Sequence, residues 1–180
     1  MQSKGLYTFL LLCISVFFAS CNSTKKISGG TSPKPKAADN YYHKKTITKP
    51  FLIDRDEFVA HAEAFQGIPY KYGSAVPSAG LDCSGLFYYL FTKHHARVPR
   101  VSRDFTNEGE EIPLKNVRRG DFLLFTGSDN STGIVGHMGV VTSTKNQVYF
   151  AHSASKGVQI SPLEGYWKIH FVKAIRLLAD

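Results

Sequence analysis

One thiol and two imidazoles carry the chemistry this sequence is best equipped to do. Cys83 stands in LDCSGLFYYLFTKHH, where Asp82 takes a cap position and Cys83 the first turn of a predicted helix. Unpaired backbone N–H groups and the positive end of the helix dipole stabilise a thiolate at such a turn, so nucleophilic chemistry is expected there. A thiolate needs a base within hydrogen-bond reach and a third group to orient that base. Two histidines in the second half of the chain meet the need. HMGVVTS and QVYFAH flank Lys145 and Asn146, which read as a tight turn between antiparallel strands. Pairing about that turn sets Gly139 opposite His152, Val141 opposite Phe150 and Ser143 opposite Val148. His137 then shares a sheet face with His152, diagonally about 7–8 Å away and within side-chain reach. The same face carries Val141, Val148 and Phe150 and is expected to receive the helix of Cys83, with Gly136 and Gly139 leaving room for its approach. The outcome is a Cys–His–His arrangement with Cys83 as nucleophile, His137 as base and His152 orienting the base. The same three residues are also a donor set for a catalytic zinc with water in the fourth position.

The elements that must position these groups follow from periodicity. DRDE opens a helix in which Phe58, Ala62 and Phe65 recur at helical spacing and which Gly67 closes. The loop IPYKYGSAVPSAG leads to the helix of Cys83, whose apolar face is Leu86, Phe87, Leu90 and Phe91. A short helix is expected over 102–108, and strands over 121–125, 137–143, 147–152, 157–160 and 171–178. Helices first and strands later predict an α+β domain. With 180 residues the chain holds one core, so a single domain over 51–180 is expected behind its N-terminal segments.

Those segments read as an address. Lys4 and the apolar run from Leu6 to Ala19 form an export signal over 1–20, too short to span a bilayer. FASC, residues 18–21, places small residues before Cys21 and resembles the lipobox at which bacterial lipoproteins are cleaved and diacylated. Cys13 leaves with the signal and Cys21 is acylated, so Cys83 is left as the lone thiol of an oxidising compartment, where no disulfide can form. Residues 21–50 read as a flexible basic tether spanning on the order of 30 Å. The tether carries seven lysines against Asp39, whereas 51–180 has 14 Lys and Arg against 13 Asp and Glu. Of the net charge of +8, six charges therefore belong to the tail, which removes the support for nucleic-acid binding and suits an anionic lipid or wall surface.

GIPYKYG, GLDCSGL, VPR, RRGDFLLF, GHMGVV, FAHSASKGVQI and YW occur in the order found in the NlpC-type papain-like cell-wall peptidases, the family also typified by a sixty-kilodalton invasion protein. The resemblance covers roughly residues 58–178. It implies a papain-like α+β fold with N-terminal helices on a C-terminal antiparallel sheet. In it Cys83 attacks a peptide carbonyl, His137 moves the proton and His152 orients His137. The Cys83 N–H and the Tyr70 hydroxyl, rather than Tyr72, make the oxyanion site. Asp82 and Ser84 match positions that contact a substrate amine in some members, with helix capping as the alternative role of Asp82. Arg100 and Arg103 are candidates for stem-peptide carboxylates. The substrate class implied is peptidoglycan stem peptides, at γ-D-glutamyl-diamino-acid bonds or D-amino-acid cross-links. The family uses no metal, so no cofactor is expected. The reading is of a monomer in the cell envelope, lipid-anchored and periplasm-facing, with Asn22 pointing to the outer membrane. An SH3-like wall module, frequent in relatives, is not expected, and GSDNSTGIVG before His137 reads as a lip of the cleft. Two rival readings are an acyltransferase or lipid-acting hydrolase on the same fold and a non-catalytic wall-binding module.

Overall fold

Residues 47–179 are described in a computed structural model. The first helix, α1 (Arg55–Ala64), begins where the acidic opening placed it. Asp54 accepts a hydrogen bond from the Glu57 N–H at 2.8 Å, and Asp56 and Glu57 fill the first turn. A short ribbon of β1 (Ala75–Val76) and β2 (Gly80–Leu81), which periodicity does not reveal, leads into α2 (Cys83–Lys93). Asp82 caps α2 by accepting from the Gly85 N–H at 2.6 Å. Gly85 is needed for a steric reason: a Cβ there would run into the Ser74 carbonyl, so the first turn of α2 lies against the preceding loop only without a side chain. The expected 102–108 helix is a 3-10 helix over Ser102–Asn107.

The remaining strands are β3 (Glu110–Ile112), β4 (Phe122–Thr126), β5 (Val135–Ser143), β6 (Tyr149–Ala154), β7 (Gly157–Pro162) and β8 (Phe171–Arg176). They form one sheet in the order β3-β8-β4-β5-β6-β7, antiparallel throughout. This is the α+β architecture expected, and among the elements no sequence pattern marked are the glutamate-bearing edge strand β3 and the short helix α3 (Gly165–His170). Asp121 locks the start of β4, taking both nitrogens of a forked Arg176 pair at 2.8 Å and the Arg118 N–H at 2.9 Å.

The β5–β6 register agrees with expectation near the site and departs from it at the turn. Val141 faces Phe150 and Val140 faces Ala151, but Ser143 faces Tyr149 instead of Val148. A bulge at Thr142 absorbs the extra residue. The Thr142 carbonyl turns out to accept from Arg119 at 2.7 Å, and Arg119 is held in turn by Glu63 of α1 at 2.8 Å. The register shift thus coincides with a tertiary contact that local turn chemistry does not reveal.

The expected packing face is overturned. Leu86, Phe87, Leu90 and Phe91 of α2 pack with Phe122, Leu124, Met138, Val140 and Ala151, on one side of the sheet. Val141, Phe150, Leu123 and Phe125 lie on the other, under Trp167, Phe171 and the partly buried Val148. The sheet is buried on both faces, so alternation marks two apolar faces without saying which one receives α2. The expected tether also ends earlier than residue 50. Ile47 is 5% exposed within the main core, and its N–H is bonded to Glu108 at 2.6 Å. The signal over 1–20, Cys21 and the rest of the tether lie outside the described residues.

Candidate active site

Cys83 sits at the first residue of α2, half-buried, in the wall of a cleft of about 540 Å³. Tyr70, Asp82, Ser84, Arg100, Ser102 and Gly136 are among the residues that line it. The thiol lies 4.0 Å from Ser102 Oγ and 3.9 Å from the Gly136 carbonyl. That second contact comes from a bulge. Phe125 pairs with His137 and Thr126 with Val135, so Gly136 is an extra residue on β5, released from the ladder. A Cβ at Gly136 would stand 2.8 Å from the Gly127 backbone, so glycine is required for the bulged strand to close on its neighbour. Gly136 and Gly139 therefore make room for strand Gly127 and for the Phe150 and His152 side chains, rather than for α2 as expected. Being bulged, β5 presents Val135 to the α2 side and His137 to the Trp167 side.

The two imidazoles are brought together as expected. His137 Nε2 and His152 Nδ1 share a hydrogen bond of 3.0 Å, and His152 Nε2 meets Ser161 Oγ of β7 at 2.9 Å. His137 Nδ1 is the ring nitrogen this relay does not use. Trp167 stacks on His137 with centroids 4.9 Å apart and stands edge-on to His152 at 4.5 Å. Ser102, Ser161 and Trp167 are parts of the site not singled out from sequence. Trp167 alone had a signal there, as the single tryptophan of the YW motif.

Tyr70 faces the cleft, its backbone bridged to Leu81 two residues before the thiol, whereas Tyr72 is 89% exposed. Burial, then the neighbouring Cys83 and Asp82, push the Tyr70 phenol pKa up, which keeps it a hydrogen-bond donor. Asp82 and Ser84 are largely buried yet both line the cleft, and Asp82 also caps α2. Arg100 donates to Asp82 Oδ1 at 3.0 Å and Oδ2 at 2.7 Å, and to Ser84 Oγ at 3.2 Å. The expected lip over 127–136 is a self-capped turn, with Asp129 accepting from Ser131, and only Val135 and Gly136 of it line the cleft.

Electrostatics revise the expectation of a ready thiolate. Burial, followed by the Asp82 charge, raises the Cys83 pKa above its ordinary value, and the Ser102 hydroxyl and the helix-tip N–H groups of Ser84 and Cys83 offset this only in part. Burial lowers His137 to about 4, and burial with the neighbouring His137 lowers His152 to about 3. At rest the thiol, which touches the carbonyl of Gly136 next to His137 in the chain, and the His137 imidazole are both neutral. A pH consequence follows with its sign. The base form of His137 persists down to about pH 4, so the acid limb of kcat/KM is expected near there rather than at the ordinary histidine value of about 6.5. Stability runs the same way. It is fully present above about pH 6.5 and declines as pH falls toward 4, because the unfolded imidazoles take up protons that the folded ones refuse. A kcat/KM profile with its acid limb at 6 or above would contradict this burial.

A helical layer on an antiparallel sheet, with a cysteine at a helix tip against a strand that carries one of two bonded imidazoles, defines a papain-like α+β domain. The chain belongs to the NlpC/P60 family, whose model matches residues 67–176. It is 36% identical over 141 residues to the gamma-DL-glutamyl hydrolase of Bacillus subtilis (strain 168), covering 74% of this chain and 33% of that one. Against the murein DD-endopeptidase MepS/murein LD-carboxypeptidase of Escherichia coli (strain K12) it is 32% identical over 117 residues, 64% of this chain and 58% of the relative. In the solved structure of an NLP/P60 family protein from Staphylococcus aureus, described as similar to lipoprotein, the match has a TM-score of 0.62 at 27% identity. It covers 75% of this chain and 46% of that one. The chain thus spans less than two thirds of the length of each of these relatives.

Proposed function

We propose that the chain is a cysteine-type peptidoglycan endopeptidase that hydrolyses stem-peptide or cross-link amide bonds involving D-amino acids or diaminopimelate. The observation that carries this reading is the His137–His152–Ser161 relay, whose first strand meets the Cys83 thiol through the Gly136 carbonyl. When Ser161 Oγ accepts from His152 Nε2–H, His152 Nδ1 accepts from His137 Nε2–H, and the lone pair of His137 is left on Nδ1. That nitrogen takes the thiol proton as the sulfur attacks the amide carbon. The Cys83 N–H and the Tyr70 hydroxyl receive the oxyanion, and His137 returns the proton to the departing amine to leave a thioester. Water, deprotonated by His137, then releases the acid and restores the thiol. The relatives named as murein and glutamyl hydrolases support this substrate class.

The same reading places the enzyme in the cell envelope as a monomer tethered through an acylated Cys21 and facing the periplasm. Incubation of the soluble 40–180 fragment with purified peptidoglycan is expected to release muropeptides whose masses identify the bond, and Cys83→Ala is expected to release none. Equal release by both proteins, or by neither, would remove the hydrolase reading. Loss of a lipid mass increment in Cys21→Ser tests the anchor.

A further inference from the structure

We propose that Glu57, His61 and His94 form a binding site for a divalent transition metal, Zn2+ in the first place, that clamps α1 to the C-terminal end of α2. Among the described residues, the ligand atoms of these three side chains all lie within 4.8 Å of one another. Glu57 and His61 are four apart on α1 and so share one helix face, and His94 is the residue at which α2 ends. A tetrahedral zinc with bonds of about 2.0–2.1 Å holds its ligands roughly 3.4 Å apart. The set therefore closes on an ion by rotation of side chains, without movement of either helix. Glu57 and His61 are exposed and His94 is half-buried, so the ion has an open path and water can take the fourth position.

Among the described residues these side chains have no hydrogen-bond partner outside the cluster. At Glu57 and His94 the hydrogen bonds run through the backbone N–H groups, to Asp54 and to the last carbonyls of α2. The His94 ring rests near buried Phe58, at 6.0 Å between centroids, and 6.3 Å from the His61 ring. Phe58 belongs to the core, so His94 has a firm wall on one side and a second imidazole on the other. Two imidazoles and one carboxylate suit zinc and its neighbours, whereas calcium and magnesium take mainly oxygen ligands. The site is at the far end of α2 from Cys83, about 16 Å along the helix axis. An ion there holds the helix that carries the thiol without entering its chemistry.

The test is calorimetric titration of Zn2+ into the untagged chain carrying Cys83→Ala, its remaining thiols alkylated. One saturable site of micromolar affinity is expected, with His61→Gln and His94→Gln each weakening it at least tenfold. Zinc is expected to raise the Tm of the parent and not of the variants, while the metal-free Tm values stay together. If either histidine variant unfolds, Glu57→Gln carries the same expectation of weakened binding. Zinc binding of equal strength in parent and His61→Gln, or no saturable binding, would overturn the proposal, as would an equal response to Mg2+.

Discussion

Replacing His137 with alanine is expected to lower kcat for muropeptide release by about 10⁴-fold, and combining it with Cys83→Ala is expected to cost little more. The thiol and the imidazole both rest neutral. Because burial and Asp82 raise the Cys83 pKa, the helix tip alone does not deliver a thiolate at neutral pH. Ionisation must accompany attack, and it needs an acceptor whose lone pair is already free. A His137 with its pKa lowered to about 4 has that lone pair free across the whole neutral range, as a weak base that takes the proton only in concert with attack of the sulfur. Without it the thiol meets its substrate in the unreactive form, so the variant should also show slow alkylation of Cys83 at pH 7 that recovers only in strong alkali. Single-turnover release of muropeptides, with alkylation rate against pH, checks both statements. A His137→Ala enzyme retaining a tenth of its activity would mean that another group takes the proton.

A neighbouring residue explains why the base is so well held. His137 is stacked by Trp167, bonded by His152 and seated opposite Phe125 across the β4–β5 ladder. The bulge at Gly136 aims it. These contacts desolvate the imidazole and fix its orientation together, so the feature that lowers its pKa is the same one that preorganises it.

What could be read from the residues was whatever local chemistry decides. The cap at Asp82 and the helix of Cys83 were legible because capping and an apolar face lie within a dozen residues of one another. The pairing of Val141 with Phe150, which carries the His137–His152 contact, was legible from the turn at Lys145 and Asn146. What was not legible depends on partners distant in sequence. The bulge at Thr142 accompanies a hydrogen bond from Arg119, held by α1, to its carbonyl. The side of the sheet that meets α2 was misassigned because both faces of β5 and β6 are apolar, and the residues that cover the histidine face, Trp167 and Phe171, arrive on a helix of six residues and the strand after it. The charged edge strand β3 escaped for a related reason, since EEI has no apolar alternation to show. Burial at the thiol is a tertiary quantity and acts against the helix end, the only influence on it that is visible locally.

Arg100→Ala is expected to destabilise the fold by about 2–3 kcal/mol and to raise the Cys83 pKa further. Arg100 holds both oxygens of Asp82, which is 6% exposed, through a bond of 2.7 Å and another of 3.0 Å. Removing it leaves a buried carboxylate with the Gly85 N–H and Ser84 hydroxyl as its remaining partners. Breaking such a pair costs about 3–5 kcal/mol when both members are buried, and the figure here is lower because a third of the Arg100 side chain is exposed. The unbalanced negative charge then lies beside the thiol and disfavours its ionisation, so alkylation of Cys83 should slow at every pH below its new pKa. Asp82→Asn reverses the electrostatic part, since asparagine still caps α2 while removing the charge. The double variant should therefore regain most of the lost stability and react with alkylating agents faster than the parent. Denaturant midpoints for the four proteins give the coupling energy, and a value near zero would show that Arg100 is not what keeps the Asp82 charge in place. In peptide assays the same pair of variants tests the charge the cleft presents to substrate. Arg100 balances Asp82 at that edge, and its removal leaves the edge negative, so Arg100→Ala should raise KM for substrates bearing a free carboxylate near the scissile bond more than for their amides.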